Sequence, residues 1–147
     1  MEGSFEYPSS GREGGRFGHV LFLCVANSAR SQMAEAVARS IAGDETRVSS
    51  AGSNPTAIRP EAVRVLEEIG IDVGGQRSKG VDEVSGDVDL VVTLCAEEVC
   101  PVWLAPVRRL HWALPDPAAV EGGEEERLEA FRSVRDELER RLRSLFA

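Results

Sequence analysis

The sequence predicts a single α/β domain, a parallel sheet with helices on both faces and a ligand site at the carboxyl ends of its strands. Short, wholly apolar runs of the kind buried on both faces alternate with amphipathic stretches of helical period, which is the pattern of βαβ units. Cys24 and Cys95 each stand directly after one of the central runs, and Asp116 follows shortly after the last. Open α/β sheets bind ligands outside the carboxyl ends of their strands, so three chemically capable residues from distant parts of the chain are directed to one edge.

Residues 1–18 are rich in Gly, Ser and charge without periodicity and read as a disordered tail, which leaves 19–147 as one domain. His19 to Leu23 is the first apolar run. Ser31 to Ala42 then places Met33, Ala34, Val37, Ala38 and Ile41 on one helical face, and Gly43-Asp44 ends it. Arg47 to Ala51 predicts a second strand, closed by the Gly52-Ser53-Asn54-Pro55 turn. Pro60 opens a second helix with Ala62, Val63, Leu66 and Ile69 on its inner face and Gly70 as its cap. Residues 71–87 read as irregular. Val88 to Leu94 is a strong strand and Arg109 to Trp112 a weaker one. Glu124 to Phe146 is a final helix that buries Leu128, Phe131, Val134, Leu138, Leu142 and Leu145, its acidic start and arginine-rich end matching the helix dipole.

Composition narrows the function. At 147 residues, 42% apolar and 29% charged, the chain is long enough to bury a core, and no apolar run approaches a membrane span or a secretory leader. The expected compartment is the cytoplasm and the expected state a monomer. A net charge of −8 argues against nucleic acid or an anionic membrane as partner, and it requires that any anion be captured by a local concentration of donors. Three cysteines are too few for a disulfide scaffold and leave apolar filling, metal ligation or redox chemistry open.

The local concentration of donors lies in Cys24-Val25-Ala26-Asn27-Ser28-Ala29-Arg30-Ser31. Five compact residues separate Cys24 from Arg30, and a helix begins at once. A loop curled in this way points successive N–H groups at one centre, and the helix N-terminus adds partial positive charge. The Arg30 guanidinium fits two oxygens of a tetrahedral oxyanion. The same field favours a thiolate at Cys24, Asn27 tolerates a left-handed backbone, and the hydroxyls of Ser28 and Ser31 can donate to the loop or to sulfur.

Cys24 to Ser31 resembles the phosphate-binding loop of the low-molecular-weight protein tyrosine phosphatases. The longer run from Val20 to Glu35 is similar to the thioredoxin-coupled arsenate reductases that share that fold. The likeness continues through Ser50-Ala51-Gly52, Asp89 to Cys95, Cys100-Pro101, His111-Trp112, Asp116-Pro117 and Phe131 to Asp136. It implies a flavodoxin-like three-layer sandwich with a four-stranded parallel sheet in the order 2-1-3-4. It also implies a mechanism. Cys24 attacks arsenic, with Asp116 as proton donor to the leaving oxygen; Cys95 attacks Cys24 and releases arsenite; Cys100 attacks Cys95; and thioredoxin reduces the Cys95–Cys100 disulfide. No bound cofactor or metal is implied for this relay, and phosphate and sulfate are expected as competing oxyanions.

The geometry of that last disulfide carries its own requirement. An α-helix over 95–100 would hold the two Cα atoms roughly 8–9 Å apart, whereas disulfides span about 4.4–6.8 Å. The segment 95–102 is therefore expected to unwind and to be mobile. Ala29 stands where many relatives carry a further cysteine. Some relatives hold potassium with residues matched by Asn27, Glu35 and Ser50; here Lys79 aligns with an acidic ligand, and its ammonium is expected to pair with Glu35 instead. The alternatives are a phosphatase that uses Cys24, Arg30 and Asp116 alone, and a structural zinc site of Cys24, Cys95, Cys100 and His111. Zinc sites usually pair their cysteines with two to four residues between them, and this chain offers one such pair, Cys95 and Cys100.

Overall fold

A computed structural model gives the fold and describes residues 17–96 and 100–147. Four strands, β1 (His19–Cys24), β2 (Arg47–Gly52), β3 (Leu90–Thr93) and β4 (Arg108–His111), form one all-parallel sheet in the order β2-β1-β3-β4. The helices are α1 (Arg30–Ile41), α2 (Pro60–Glu67) and α3 (Glu124–Leu145). β1, buried at every position, is central, as its unbroken apolar run requires.

The alternation of side chains divides the core in two. Val20 and Phe22 of β1, with Leu90 and Val92 of β3, pack beneath all three α-helices, where Met33, Val37, Leu66, Phe131 and Leu138 close the larger cluster. Leu21, Leu23, Ala51 and Val91 face the other way. There the covering layer is a 3₁₀ turn at Val81–Glu83 and the irregular stretch carrying Trp103 and Val107, rather than an α-helix among the described residues. The expected sandwich is present, with its second outer layer built from short and irregular pieces.

Residues 1–16 of the expected tail lie outside the described residues. Phe17 and Gly18 do not belong to a tail: Phe17 is buried and meets Phe146 edge-on, and Gly18 accepts from the Arg47 N–H at 2.8 Å. One aromatic among glycines carries no periodicity, so this boundary was invisible in the sequence.

α2 also ends earlier than its pattern. Gly70 turns left-handed at φ 82, and the Ile71 N–H bonds back to the Leu66 carbonyl. Ile69 is thereby carried out to 38% exposure, and Val65 takes the buried place. α2 is clamped to α3 by buried Arg135, which donates to the Val65 carbonyl at 2.7 Å and to Glu68 at 2.9 Å. At the amino edge of the sheet His19 hydrogen-bonds Asp87 through Nδ1 and Ser49 through Nε2. That clamp pins the 85–87 turn to β1 and β2.

Candidate active site

The carboxyl edge of β1 and β3 gathers all three cysteines. Leu94 N–H donates to the Leu23 carbonyl at 2.9 Å, which brings Cys24, the last residue of β1, and Cys95, two residues past β3, to the same end of adjacent strands. Cys100 closes the group: its sulfur lies 4.0 Å from that same Leu23 oxygen, and it is bonded to Cys95 in a disulfide. The Cα–Cα separation is 5.6 Å, within the range that a disulfide spans. Residues 97–99, within the stretch expected to be mobile, lie outside the described residues. Cys24 is free and buried.

From Cys24 the chain curls through residues 25–29 into α1. Every carbonyl of this stretch is engaged from outside the loop or further along the chain. Val25 accepts from Asn54 N–H, Ala26 from Thr56 N–H, Asn27 from the Ser78 hydroxyl and Gln32, Ser28 from Arg59 N–H, and Ala29 from Met33 N–H. In a trans peptide the N–H points opposite to the carbonyl. The N–H groups of residues 26–30 are therefore turned inward, as a nest for an anion requires. The helix that follows has no capping side chain at Ala29 and no acidic residue in its first turn, so the positive end of its dipole adds to the field at the loop.

Asn27 is the bend on which this loop depends. It is the one non-glycine residue at positive φ (49) among the described residues, a conformation that costs on the order of 1–2 kcal/mol. Its side chain offsets that cost by donating to Ser31 (2.8 Å) and Ser50 (3.0 Å) and accepting from Gln32 (3.1 Å) and Lys79 N–H (2.9 Å). Ser31 in turn sits 2.9 Å from the Cys24 sulfur. Its oxygen already accepts from Asn27, so its proton is available to the sulfur. Gly52, paired in register with Cys24, lets the end of β2 pass under the loop: a Cβ there would lie 2.3 Å from the Val25 oxygen.

Arg30 is buried and donates to the Leu114 carbonyl at 3.0 Å, with Leu94 at 3.5 Å. It ties the loop to β3 and to the segment that carries Asp116. Asp116 itself is exposed and caps a 3₁₀ turn, its Oδ1 accepting from Ala118 N–H at 3.0 Å. His111 bonds Thr93 at the end of β4. The zinc reading would need the thiols of Cys95 and Cys100, which the disulfide consumes.

Lys79 does not pair with Glu35 as expected. It contributes its backbone N–H to Asn27, while the Arg39 guanidinium, one helical turn along α1, sits on Glu35 Oε2. Glu35 Oε1 accepts from Ser50, and the Asn27 amide oxygen is doubly occupied. These residues do not fit a potassium ion, since the carboxylate that would hold it already faces a cation. Arg39 had a sequence signal, the i, i+4 charge pair on one helix. Gln76 and Ser78, from the irregular 71–87 stretch, had none.

A free cysteine and a curled loop at the switch between β1 and α1 of a 2-1-3-4 parallel sheet are the arrangement of a phosphatase-type fold. Residues 19–147 match the low molecular weight phosphotyrosine protein phosphatase family, and the chain belongs to it. Among its relatives the arsenate reductase of Halalkalibacterium halodurans is 45% identical over 128 residues, covering 85% of this chain and 92% of that protein. The crystal structure of the arsenate reductase of Archaeoglobus fulgidus superposes with a TM-score of 0.73 at 33% identity, over 86% of this chain and 98% of that one. A thioredoxin-dependent arsenate reductase of Corynebacterium glutamicum gives a TM-score of 0.59 at 29% identity, over 91% and 66% respectively.

Proposed function

We propose that this chain is an arsenate reductase in which Cys24, Cys95 and Cys100 pass two electrons to arsenate, with thioredoxin as the external donor. The observation that carries the reading is the pairing of a free, buried Cys24 in an anion loop with a Cys95–Cys100 disulfide at the adjacent strand end. Hydrolysis of a phosphocysteine needs no second thiol. Reduction needs two, and this is the arrangement that remains when such a relay has run once.

The loop N–H groups of residues 25–31 and the Arg30 side chain bind the oxyanion. Cys24 thiolate forms a bond to arsenic as one oxygen leaves as water, Asp116 giving the proton. Cys95 thiolate then attacks the Cys24 sulfur. The sulfur–arsenic bond breaks, its electron pair stays on arsenic, and arsenite departs. Cys100 thiolate displaces Cys24 from Cys95, and a dithiol donor reduces the Cys95–Cys100 bond and closes the cycle. Phosphate and sulfate compete for the same nest.

Thioredoxin as donor is supported by the thioredoxin-dependent relative and by the surface beside Cys100. Val102 and Leu104 are 68% and 90% exposed, an apolar setting that suits a protein donor better than a small charged thiol. The catalytic unit is residues 19–147, acting as a monomer in the cytoplasm. No helix among the described residues is long and apolar enough to cross a membrane. The test is arsenate-dependent NADPH oxidation with thioredoxin and its reductase. Cys24→Ser, Cys95→Ser and Cys100→Ser each abolish turnover, and Asp116→Asn lowers kcat by about 100-fold or more. Intact turnover in Cys95→Ser and Cys100→Ser would rule out the relay.

A further inference from the structure

Arg39 touches none of the reacting atoms, yet two chains of hydrogen bonds lead from it to the bend of the nucleophile loop. In the first, the guanidinium pairs with Glu35, Glu35 accepts from Ser50 at 2.6 Å, and Ser50 accepts from the Asn27 amide at 3.0 Å. In the second, Arg39 reaches Gln76 at 3.4 Å, Gln76 donates to Gln32 at 2.7 Å, and Gln32 donates to both the side chain and the carbonyl of Asn27. A third contact, to the Val48 carbonyl at 3.0 Å, fixes the guanidinium to β2.

Charge explains why the anchor must be a cation. The Glu35 side chain is only 4% exposed, and a carboxylate so enclosed persists as an anion only when it is paired. Without Arg39 it either repels the thiolate and oxyanion that the loop is built to hold, or turns away and loses its bond to Ser50. Either outcome loosens Asn27, and with it the Ser31 hydroxyl on the Cys24 sulfur. Arg39 itself is half exposed, so its role is not that of core filling.

We propose that Arg39 is a positioning residue for the Cys24 loop, an internal cation that balances Glu35 and holds both branches converging on Asn27. The proposal rests on the reading of Cys24 as nucleophile, but its test needs no arsenate. In the oxidised protein Cys24 is the free thiol, so alkylation by iodoacetamide reports on it. Protection from alkylation by inorganic phosphate reports on the nest.

Relative to wild type, Arg39→Gln should alkylate about five- to tenfold more slowly at pH 7 and need about tenfold more phosphate for protection. Arg39→Lys, which keeps the charge and loses the fork, should fall between the two, and it carries the test if Arg39→Gln does not fold. Arg47→Gln, which removes an exposed arginine paired with Asp87 at the opposite sheet edge, should match wild type. In a Glu35→Gln background the loss caused by Arg39→Gln should shrink to a minor fraction. Rates and protection in Arg39→Gln equal to wild type, or an undiminished loss in the Glu35→Gln background, would overturn the proposal. So would strong acceleration of wild-type Cys24 alkylation by potassium over sodium at matched ionic strength. A wild-type Cys24 that neither alkylates readily nor is protected by phosphate would instead count against the nucleophile reading itself.

Discussion

Residues 25–29 and residues 100–104 both lie at the carboxyl edge of the sheet, and they are held in opposite ways. In the first stretch every carbonyl has a donor and the bend at Asn27 is held by four side-chain hydrogen bonds. In the second, the fixed points are the Cys95–Cys100 bond and the Trp103 ring against Leu21 and Leu23, and Val102 and Leu104 project outward between and beyond them. The difference follows from the chemistry each must do. An anion nest works by having its donors aimed before the ligand arrives, so that no reorganisation is needed during reaction. A resolving thiol must reach two different sulfurs in turn, which a rigid segment cannot do. On the proposed relay, preorganisation and mobility fall to different pieces of backbone, side by side at the sheet end.

The largest effect is expected from breaking the rigid half through a residue that carries no reacting group itself. Gly52→Ala would place a Cβ 2.3 Å from the Val25 oxygen, in backbone that cannot yield without moving the loop. A displacement near 1 Å of a positioned nucleophile costs on the order of 100-fold in kcat/KM. Steady-state kinetics beside a thermal melt would read it, and an unaltered kcat/KM would mean that the loop tolerates displacement. A smaller effect should appear in the other half. On reduction of Cys95–Cys100, amide exchange at 100–104 should accelerate by about tenfold, while exchange at 24–31 stays unchanged. Equal protection of 100–104 in both redox states would contradict the assignment of mobility.

The smallest effect serves as a control far from the site. The hydrogen bond from Arg132, joined by that from Arg135, holds the Glu68 carboxyl down to about 2 from its ordinary 4.5. A carboxyl depressed on folding stabilises the native state above its unfolded pKa, and that contribution is lost as pH falls through the folded value. Glu68→Gln should therefore lower Tm by a few degrees at most near pH 7, since the pair is solvent-screened. The gap should close between about pH 4.5 and 2, and kcat/KM should not change. A loss of activity would show that the α2–α3 surface is coupled to the loop.

How much of this was readable in the sequence divides along the same line. The strands, their parallel sense and the placing of Cys24 and Cys95 at neighbouring strand ends follow from hydrophobic period and the rule for strand ends, which are local signals. Asn27 was readable too, because few residues accept a left-handed bend. What holds Asn27 was not. Gln32, Ser78 and the Lys79 N–H reach it from one helix and from a stretch without periodicity, and only the folded chain brings them together. The wrong partner for Glu35 arose in the same way, because alignment favoured Lys79 over the arginine four residues along the same helix. The pieces that cover the second face of the sheet were not readable, because a buried strand reveals that it is covered, not by what. The place of Phe17 in the core was lost among glycines.

The central claim is that electrons pass from Cys95 to Cys24 before Cys100 takes part. Fully reduced Cys100→Ser, given arsenate with no external reductant and then acid-quenched for peptide mapping, tests it most directly. The relay predicts one arsenite released per protein and a Cys24–Cys95 disulfide. Arsenite released with no such disulfide, or no arsenite at all despite phosphate-protectable Cys24, would contradict it.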